Sequence, residues 1–353
     1  MEDPPKREDL LKTPVRMLDL MEKRSISDLV KSFSGTSFQA RRIAQASNIF
    51  QRMLEDTDRG PRTIFTGMSG SLIAAGLRKT LADLIRLGMV DVVVTTGAVV
   101  YQDFYQAMGY RHYQGVPDSD DVLLHSFMID RIYDTYVDEE MFRKTDVQIG
   151  GIMREMEGRR YSTREFLGEL GKRCVDDGSS ILGQAFAREV PVYCPAIADS
   201  SIGIGISTAY KSAREEGTLG DLFILDTIRD NYEMAQIVNM SNSTCAVYLG
   251  GGVPKNYIND SIVMADMMYG GIDGHEYAFQ VTMDRPEWGG LSGSTLGEAQ
   301  SWGKIDAEAT HTMVHVELSV ALPLIFGSVL ESRQYLERKG PKMKWEGDRL
   351  VSI

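Results

Sequence analysis

The stretch RTIFTGMSGSLIAAGLRKTLADLIRLGMVDVVVTTGA, Arg62 to Ala98, carries a complete strand–helix–strand pattern. Thr63 to Met68 is rich in β-formers and enters a turn containing Gly67 and Gly70. Apolar residues then recur at helical spacing from about Leu72 to Arg86, and Val90 to Thr96 is a nearly continuous β-branched run. Such a unit predicts two parallel strands, buried on both faces and joined by a right-handed crossover.

The alternation resumes further along the chain. Strands are expected at Val190 to Ile197, Leu222 to Leu225, Cys245 to Leu249, Glu276 to Met283 and Thr312 to Glu317. Helices are expected at Asp226 to Met240, Pro254 to Met268 and Ala321 to Arg338. This order implies an α/β fold with an open, mostly parallel Rossmann-like sheet and helices on both faces. Residues 101–190 are less regular, with acidic loops PDSDD and YVDEE, which fits an insertion or a helical layer. A capping box there, Ser162-x-x-Glu165, opens a helix running to about Cys174. Ahead of the first strand, Ser25 to Phe33 and Ser37 to Leu54 have helical periodicity. The expected organisation is a helical extension over residues 1–60 and a single α/β domain over 61–353.

Composition narrows the class. With 353 residues, 43% hydrophobic and 25% charged, the chain suits a globular protein and not a disordered one. At this length roughly 75% of the unfolded surface can be buried without staples. Cys174, Cys194 and Cys245 are odd in number and lie in or beside apolar stretches, so they are expected as reduced thiols in a cytoplasmic protein. The polar start MEDPPKRED is unlike a signal peptide, and no apolar run approaches the ~18 residues of a membrane span. A net charge of −12 without a basic run argues against nucleic acid and suits a cationic substrate. The five histidines show no ligand spacing, so no metal is expected.

Ligands of open α/β sheets bind outside the carboxyl ends of the strands. Five segments are therefore expected to form one rim: Gly67 to Ser71, Thr95 to Ala98, Asp199 to Gly203, Gly250 to Gly252, and the loop from Trp288 to Lys304. Gly250, Gly251 and Gly252 follow a strand and precede a helix with Pro254 in its first turn, which suits close approach to a diphosphate. Gly70 and Ser71 form a similar turn. The G-x-G-x-x-G fingerprint is absent, so these glycines alone are equally consistent with tight turning. The loop WGGLSGSTLGEAQSWGKID carries five glycines and is long for a compact protein. Lys304 at its end needs burial beside Trp302 to supply a neutral amine for imine chemistry.

Several segments together resemble the deoxyhypusine synthase family: SFQARRIAQA, SLIAAGLRKTL with VDVVVTTGA, Asp199-Ser200-Ser201, LGGGVPK, EAQSWGKI and VELSVALPLIFGSVL. The resemblance implies an NAD-using homotetramer of Rossmann-like subunits with active sites shared across a dimer interface. It further implies oxidation of spermidine by NAD, capture of the aminobutyl group on a lysine as an imine, and transfer to a lysine of a translation initiation factor. By position, Lys304 resembles the imine-forming lysine, Trp302 a residue stacked beside the alkyl chain, and Glu298 a holder of an amine. Thr95, Thr96, Asp199, Gly251 and Gly252 match NAD-contacting positions, Ser201 a substrate-pocket serine, and Glu317 an aspartate near the cofactor.

The departures point to a different amine. Ile204, Leu291 and Asn256 stand where the family has two aspartates and a histidine around spermidine. Tyr101 and Gln102 replace an acidic pair, and Trp288 a further aspartate. A buried ammonium without its carboxylates costs several kcal/mol. The chain thus resembles a divergent branch that joins small amines into homospermidine-type or agmatine-derived products. Two alternatives stand beside that reading. One is authentic deoxyhypusine synthesis, with carboxylates supplied by residues such as Asp260 or Asp273. The other is a non-catalytic NAD-binding protein.

Overall fold

The computed structural model describes residues 7–55 and 60–353; the remainder of the N-terminal reading lies outside them. Six strands form the central sheet: β1 (Thr63–Met68), β2 (Val92–Thr95), β3 (Val192–Tyr193), β4 (Thr244–Leu249), β5 (His275–Val281) and β6 (Ile305–Val314). Their order across the sheet is β6-β5-β4-β1-β2-β3, and every pairing is parallel. Read from β3, this is the 3-2-1-4-5-6 order of dinucleotide-binding sheets, with its reversal between β1 and β4. The register aligns Met68 with both Thr95 and Leu249, Leu249 with Val281, and Val281 with Val314, which defines one carboxyl edge.

Side-chain alternation along the strands divides the core between the two faces. Ile64, Met68, Val93, Val247, Leu249, Phe279 and Val314 join one cluster with residues of helices Phe38–Leu54 and Leu318–Ser332. Phe65, Val92, Val94, Ala246, Tyr248 and Ala278 join the other, with Ile237 and Ile262 of helices Thr227–Met240 and Gly252–Tyr269. Ile43, Ile49, Phe50 and Met53 of helix Phe38–Leu54 are therefore part of the main core.

Several elements differ from the expected bounds. The helix expected from Leu72 begins at Arg78, because Gly76 adopts φ +79° and ends a single turn closed by Ala75 N–H donating to Ser71 O. The strand expected at Val190 to Ile197 shortens to β3. Ile224–Leu225 leaves the main sheet to pair with Arg160–Tyr161. The strand expected at Thr312 to Glu317 is β6, which starts at Ile305 and carries a register irregularity opposite His275 and Tyr277. The last helix runs over Leu318–Ser332, and Arg333 at φ 57° closes it. Helix Glu139–Glu155 falls within the segment expected as an insertion or helical layer, whereas helices Gly97–Ala107 and Ser201–Glu216 are not assigned from the sequence. The Ser162/Glu165 capping box forms and opens helix Thr163–Lys172.

Asp103 organises the layer beside β2. Its Oδ1 accepts from Arg78 Nε (2.7 Å) and Ile181 N–H (3.0 Å), and its Oδ2 from Ser180 Oγ (2.8 Å) and Leu182 N–H (2.9 Å). The carboxylate is fully buried. Burial pushes its pKa up, against the pull of Arg78 and the backbone N–H groups. The three cysteines are free and buried, and no described helix is long and apolar enough to cross a membrane.

Candidate functional site

At the carboxyl edge the turns after β1 and β4 are tied together. Ser69 Oγ accepts from Gly251 N–H at 2.8 Å and donates to Leu249 O at 3.3 Å. Gln280, fully buried at the end of β5, donates through Nε2 to Gly250 O (2.9 Å) and Ser292 O (2.7 Å). It thereby pins the glycine turn to the long loop. Gly70 lies at φ +88° and is exposed beside Ser71. Thr95 ends β2, and Thr96 caps helix Gly97–Ala107. A Cβ on Gly97 would fall 2.3 Å from Ser200 Oγ, so the turn after β2 packs directly on the Asp199–Ser201 turn. Ser201 opens helix Ser201–Glu216.

This edge fits a dinucleotide. Helices Gly97–Ala107, Ser201–Glu216 and Gly252–Tyr269 all start there without a side-chain cap, leaving N–H groups for an anion. Beside them a cavity of about 680 Å³ is lined by Ser71, Ala74, Gln114, Tyr133, Glu317 and Ser319. Glu317 follows β6 and caps helix Leu318–Ser332 through Ser319 N–H at 2.8 Å. The same carboxylate oxygen also accepts from Ser319 Oγ. The glycine turn has no slack, since a Cβ on Gly251 would lie 2.5 Å from Ser292 Cα. Gly251→Ala is therefore expected to displace the turn and weaken NAD binding at least about tenfold, a loss of about 1.4 kcal/mol, by isothermal titration.

Lys304 does not lie on that rim. His275 N–H donates to Lys304 O at 3.1 Å at the start of β5 and β6, the amino end of the sheet. The seven residues of β5 put the two backbone ends roughly 20 Å apart, and the Lys304 side chain reaches back only as far as Asp260, eight residues (about 12 Å) into helix Gly252–Tyr269. The expected single rim is thus two regions, bridged by helix Gly252–Tyr269, which starts at the carboxyl edge and runs back past Lys304. The physical reason is that the loop after β5 must return along the sheet before β6 can pair in parallel.

The lysine region has its own order. Lys304 Nζ lies 2.7 Å from Asp260 Oδ1, with only 16% of the lysine side chain exposed. It also stands 5.4 Å from the Trp302 ring centroid, while Trp302 itself is 71% exposed. Asn256 Nδ2 donates to Asp260 Oδ2 at 2.8 Å, so the preceding helix turn fixes one oxygen of that carboxylate and Lys304 the other. Glu298 closes the capping box of helix Leu296–Gln300, its Oε2 accepting from Thr295 N–H at 2.5 Å. These backbone bonds hold its pKa below the usual carboxylate range. The slot expected to hold a neutral Lys304 therefore contains an ion pair.

The deeply buried amine is instead Lys255, which sequence reasoning passed over. It is 2% exposed, and Nζ donates to Ser294 O (2.5 Å), Ser294 Oγ (3.0 Å) and Leu291 O (3.3 Å). Desolvation pushes its pKa down to about 8, assisted by Lys304 and opposed by Glu298. A sequence signal existed: a lysine in the first turn of a helix opposes the macrodipole. Its three oxygen ligands stitch that helix to the long loop.

The substituted positions divide in the same way. Ile204 and Leu291 are exposed, as is Trp288. Tyr101 is buried, its hydroxyl donating to Phe142 O at 2.8 Å, and burial raises its pKa well above the usual phenol range. Gln102 is buried with Oε1 unpartnered. Among the described residues no His, Cys, Asp and Glu group could hold a metal ion.

A family model described as deoxyhypusine synthase matches residues 28–329. The chain is 39% identical over 344 residues to a Methanosarcina mazei protein named "Probable deoxyhypusine synthase 2", covering 97% of this chain and 96% of the relative. It is 37% identical over 331 residues to a Chlorobaculum tepidum "Deoxyhypusine synthase-like protein", covering 92% and 91%. In fold it is similar to the crystal structure of an Entamoeba histolytica deoxyhypusine synthase candidate, with a TM-score of 0.60, 18% identity, and coverage of 90% of this chain and 97% of that one.

Proposed function

Because the chain belongs to the deoxyhypusine synthase family, whose members are NAD-dependent aminobutyl transferases, we propose that it moves an aminobutyl or guanidinobutyl group between small amines through an imine on Lys304. The observation that carries this reading is the largely covered Lys304 Nζ, held 2.7 Å from Asp260 beside Trp302. The chemistry that bound NAD supplies is removal of a hydride from the donor amine and its return to the product. Gly251, Gly252, Thr95, Thr96, Asp199, Ser71, Gly70 and Glu317 are the residues proposed to hold it at the carboxyl edge.

Lys304 captures the four-carbon fragment, Trp302 covers the alkyl chain, and Glu298 and Ser201 contact the amine ends. The separation of Lys304 from the glycine turns within one chain favours sites completed by a second subunit, and the family is homotetrameric. Exposed Ile204 and Leu291, together with an Asn256 committed to Asp260, support a small-amine donor and acceptor over spermidine and a protein lysine. The name of the Methanosarcina relative favours the second reading, deoxyhypusine synthesis on a translation initiation factor.

One experiment separates the two. The protein is supplied with NAD and, separately, agmatine, putrescine or spermidine, with and without the initiation factor, and all products are weighed by mass spectrometry. New polyamines without the factor are expected. A mass gain on the factor's lysine alone would establish the second reading, and cofactor binding without any amine turnover would favour a non-catalytic protein.

A further inference from the structure

Resting on the reading of Lys304 as the imine-forming residue, we propose that Asp260 is the catalytic proton carrier of that step. Its Oδ1 touches Lys304 Nζ at 2.7 Å, and Asn256, one helix turn earlier, fixes Oδ2 at 2.8 Å. The carboxyl group is therefore aimed at the nucleophile by its own helix. Among the described residues no other charged group pairs with Lys304 Nζ. Glu298 on the loop helix accepts from the Thr295 backbone, and Lys255 donates to Ser294 and Leu291. His275, on the adjoining strand, meets Lys304 only through its backbone N–H, and its imidazole Nδ1 bonds Thr244 Oγ1 at 2.8 Å. Asp306, two residues on, accepts through Oδ1 from Glu308 N–H at 2.7 Å.

The step balances. Lys304 starts as an ammonium and the oxidised donor as an iminium. Asp260 takes a proton from Nζ, whose lone pair forms the bond to the iminium carbon. Asp260 passes that proton to the departing nitrogen and takes a second one from Nζ, whose freed lone pair forms the new double bond to carbon as the bond to the departing nitrogen breaks, its electron pair leaving with that nitrogen. The second proton then passes from Asp260 to the departed nitrogen. Lys304 ends as the iminium, the leaving amine as an ammonium and Asp260 as a carboxylate, and no electrons leave the carbon skeleton.

This assignment has a pH signature. The reactive form, neutral Lys304 with protonated Asp260, holds as many protons as the resting ion pair, so its population is independent of pH while the pair keeps one proton. Without the carboxyl group, the reactive form is one proton poorer than the resting form, and its population rises tenfold per pH unit.

The test uses butanal as the carbonyl probe and cyanoborohydride as reductant, without NAD, and reads labelling of the Lys304 peptide by mass spectrometry from pH 6 to 9. In the wild type, Lys304 is expected to label faster than surface lysines. Asp260→Asn is expected to label it about 100-fold more slowly at pH 7, with the deficit shrinking about tenfold per pH unit, and Asp260→Glu to restore most of the rate. A wild-type rate in Asp260→Asn, or a deficit constant with pH, would overturn the role of Asp260 while leaving Lys304 as the nucleophile. Lys304 labelling no faster than surface lysines in the wild type would overturn both.

Discussion

Lys304→Arg is expected to lower amine transfer by at least about three orders of magnitude while leaving the fold and NAD affinity intact. Arginine keeps the positive charge opposite Asp260 and the cation over Trp302, so the 2.7 Å ion pair has a replacement. Its guanidinium stays protonated at any accessible pH and offers no nucleophilic amine. Loss of a covalent nucleophile removes the whole route and not one contact within it, which is why the effect is large. The residues proposed to hold NAD lie at the far end of β5, so an NAD isotherm unchanged from the wild type is expected alongside the lost turnover. Retained turnover would remove the lysine from the chemistry.

The second large effect is structural. Asp103→Ala is expected to destabilise the fold by about 3–5 kcal/mol, the typical cost of removing one partner from a buried ion pair. Arg78 would keep its 2.8 Å contact with Asp177 but lose its buried carboxylate, and Ser180, Ile181 and Leu182 would lose their acceptor at the start of helix Ile181–Arg188. Thermal unfolding monitored by circular dichroism should show a Tm lower by roughly 10 °C. Against a typical total stability of about 5–15 kcal/mol, this hub is a sizeable fraction. A shift of a degree or less would mean that the local structure repacks without it.

The parts of the fold legible in sequence were those in which a local rule and the tertiary structure agree. Thr63–Met68 and Thr244–Leu249 are apolar on both faces because both faces are covered. Ser162 and Glu165 specify a helix start by themselves. Helix Arg78–Arg86 was misread at its start because Leu72, Ile73, Leu77 and Leu81 keep helical spacing across a turn that Gly76 interrupts. Their burial there comes from packing and not from a continuous helix. The alternation in β6 is disrupted by its irregular pairing with β5, which hid its first half.

The sequence offered candidate site residues, in the glycine turns and EAQSWGKI, but not their arrangement: the amino-end placement of the Lys304 backbone follows from how far the loop after β5 must travel. The partnership of Lys304 with Asp260 joins residues 44 positions apart, and no local periodicity encodes it. Asn256 read as a lost histidine, yet its amide has a defined task in holding Asp260.

Covalent capture at Lys304 is tested most directly by borohydride trapping during turnover. The protein is incubated with NAD and each of agmatine, putrescine and spermidine, reduced, digested and mapped by mass spectrometry. With the productive donor, a four-carbon amine or guanidine adduct confined to the peptide containing Lys304 is predicted, dependent on NAD and absent from Lys304→Arg. New polyamine products forming with no adduct on that peptide would contradict the account.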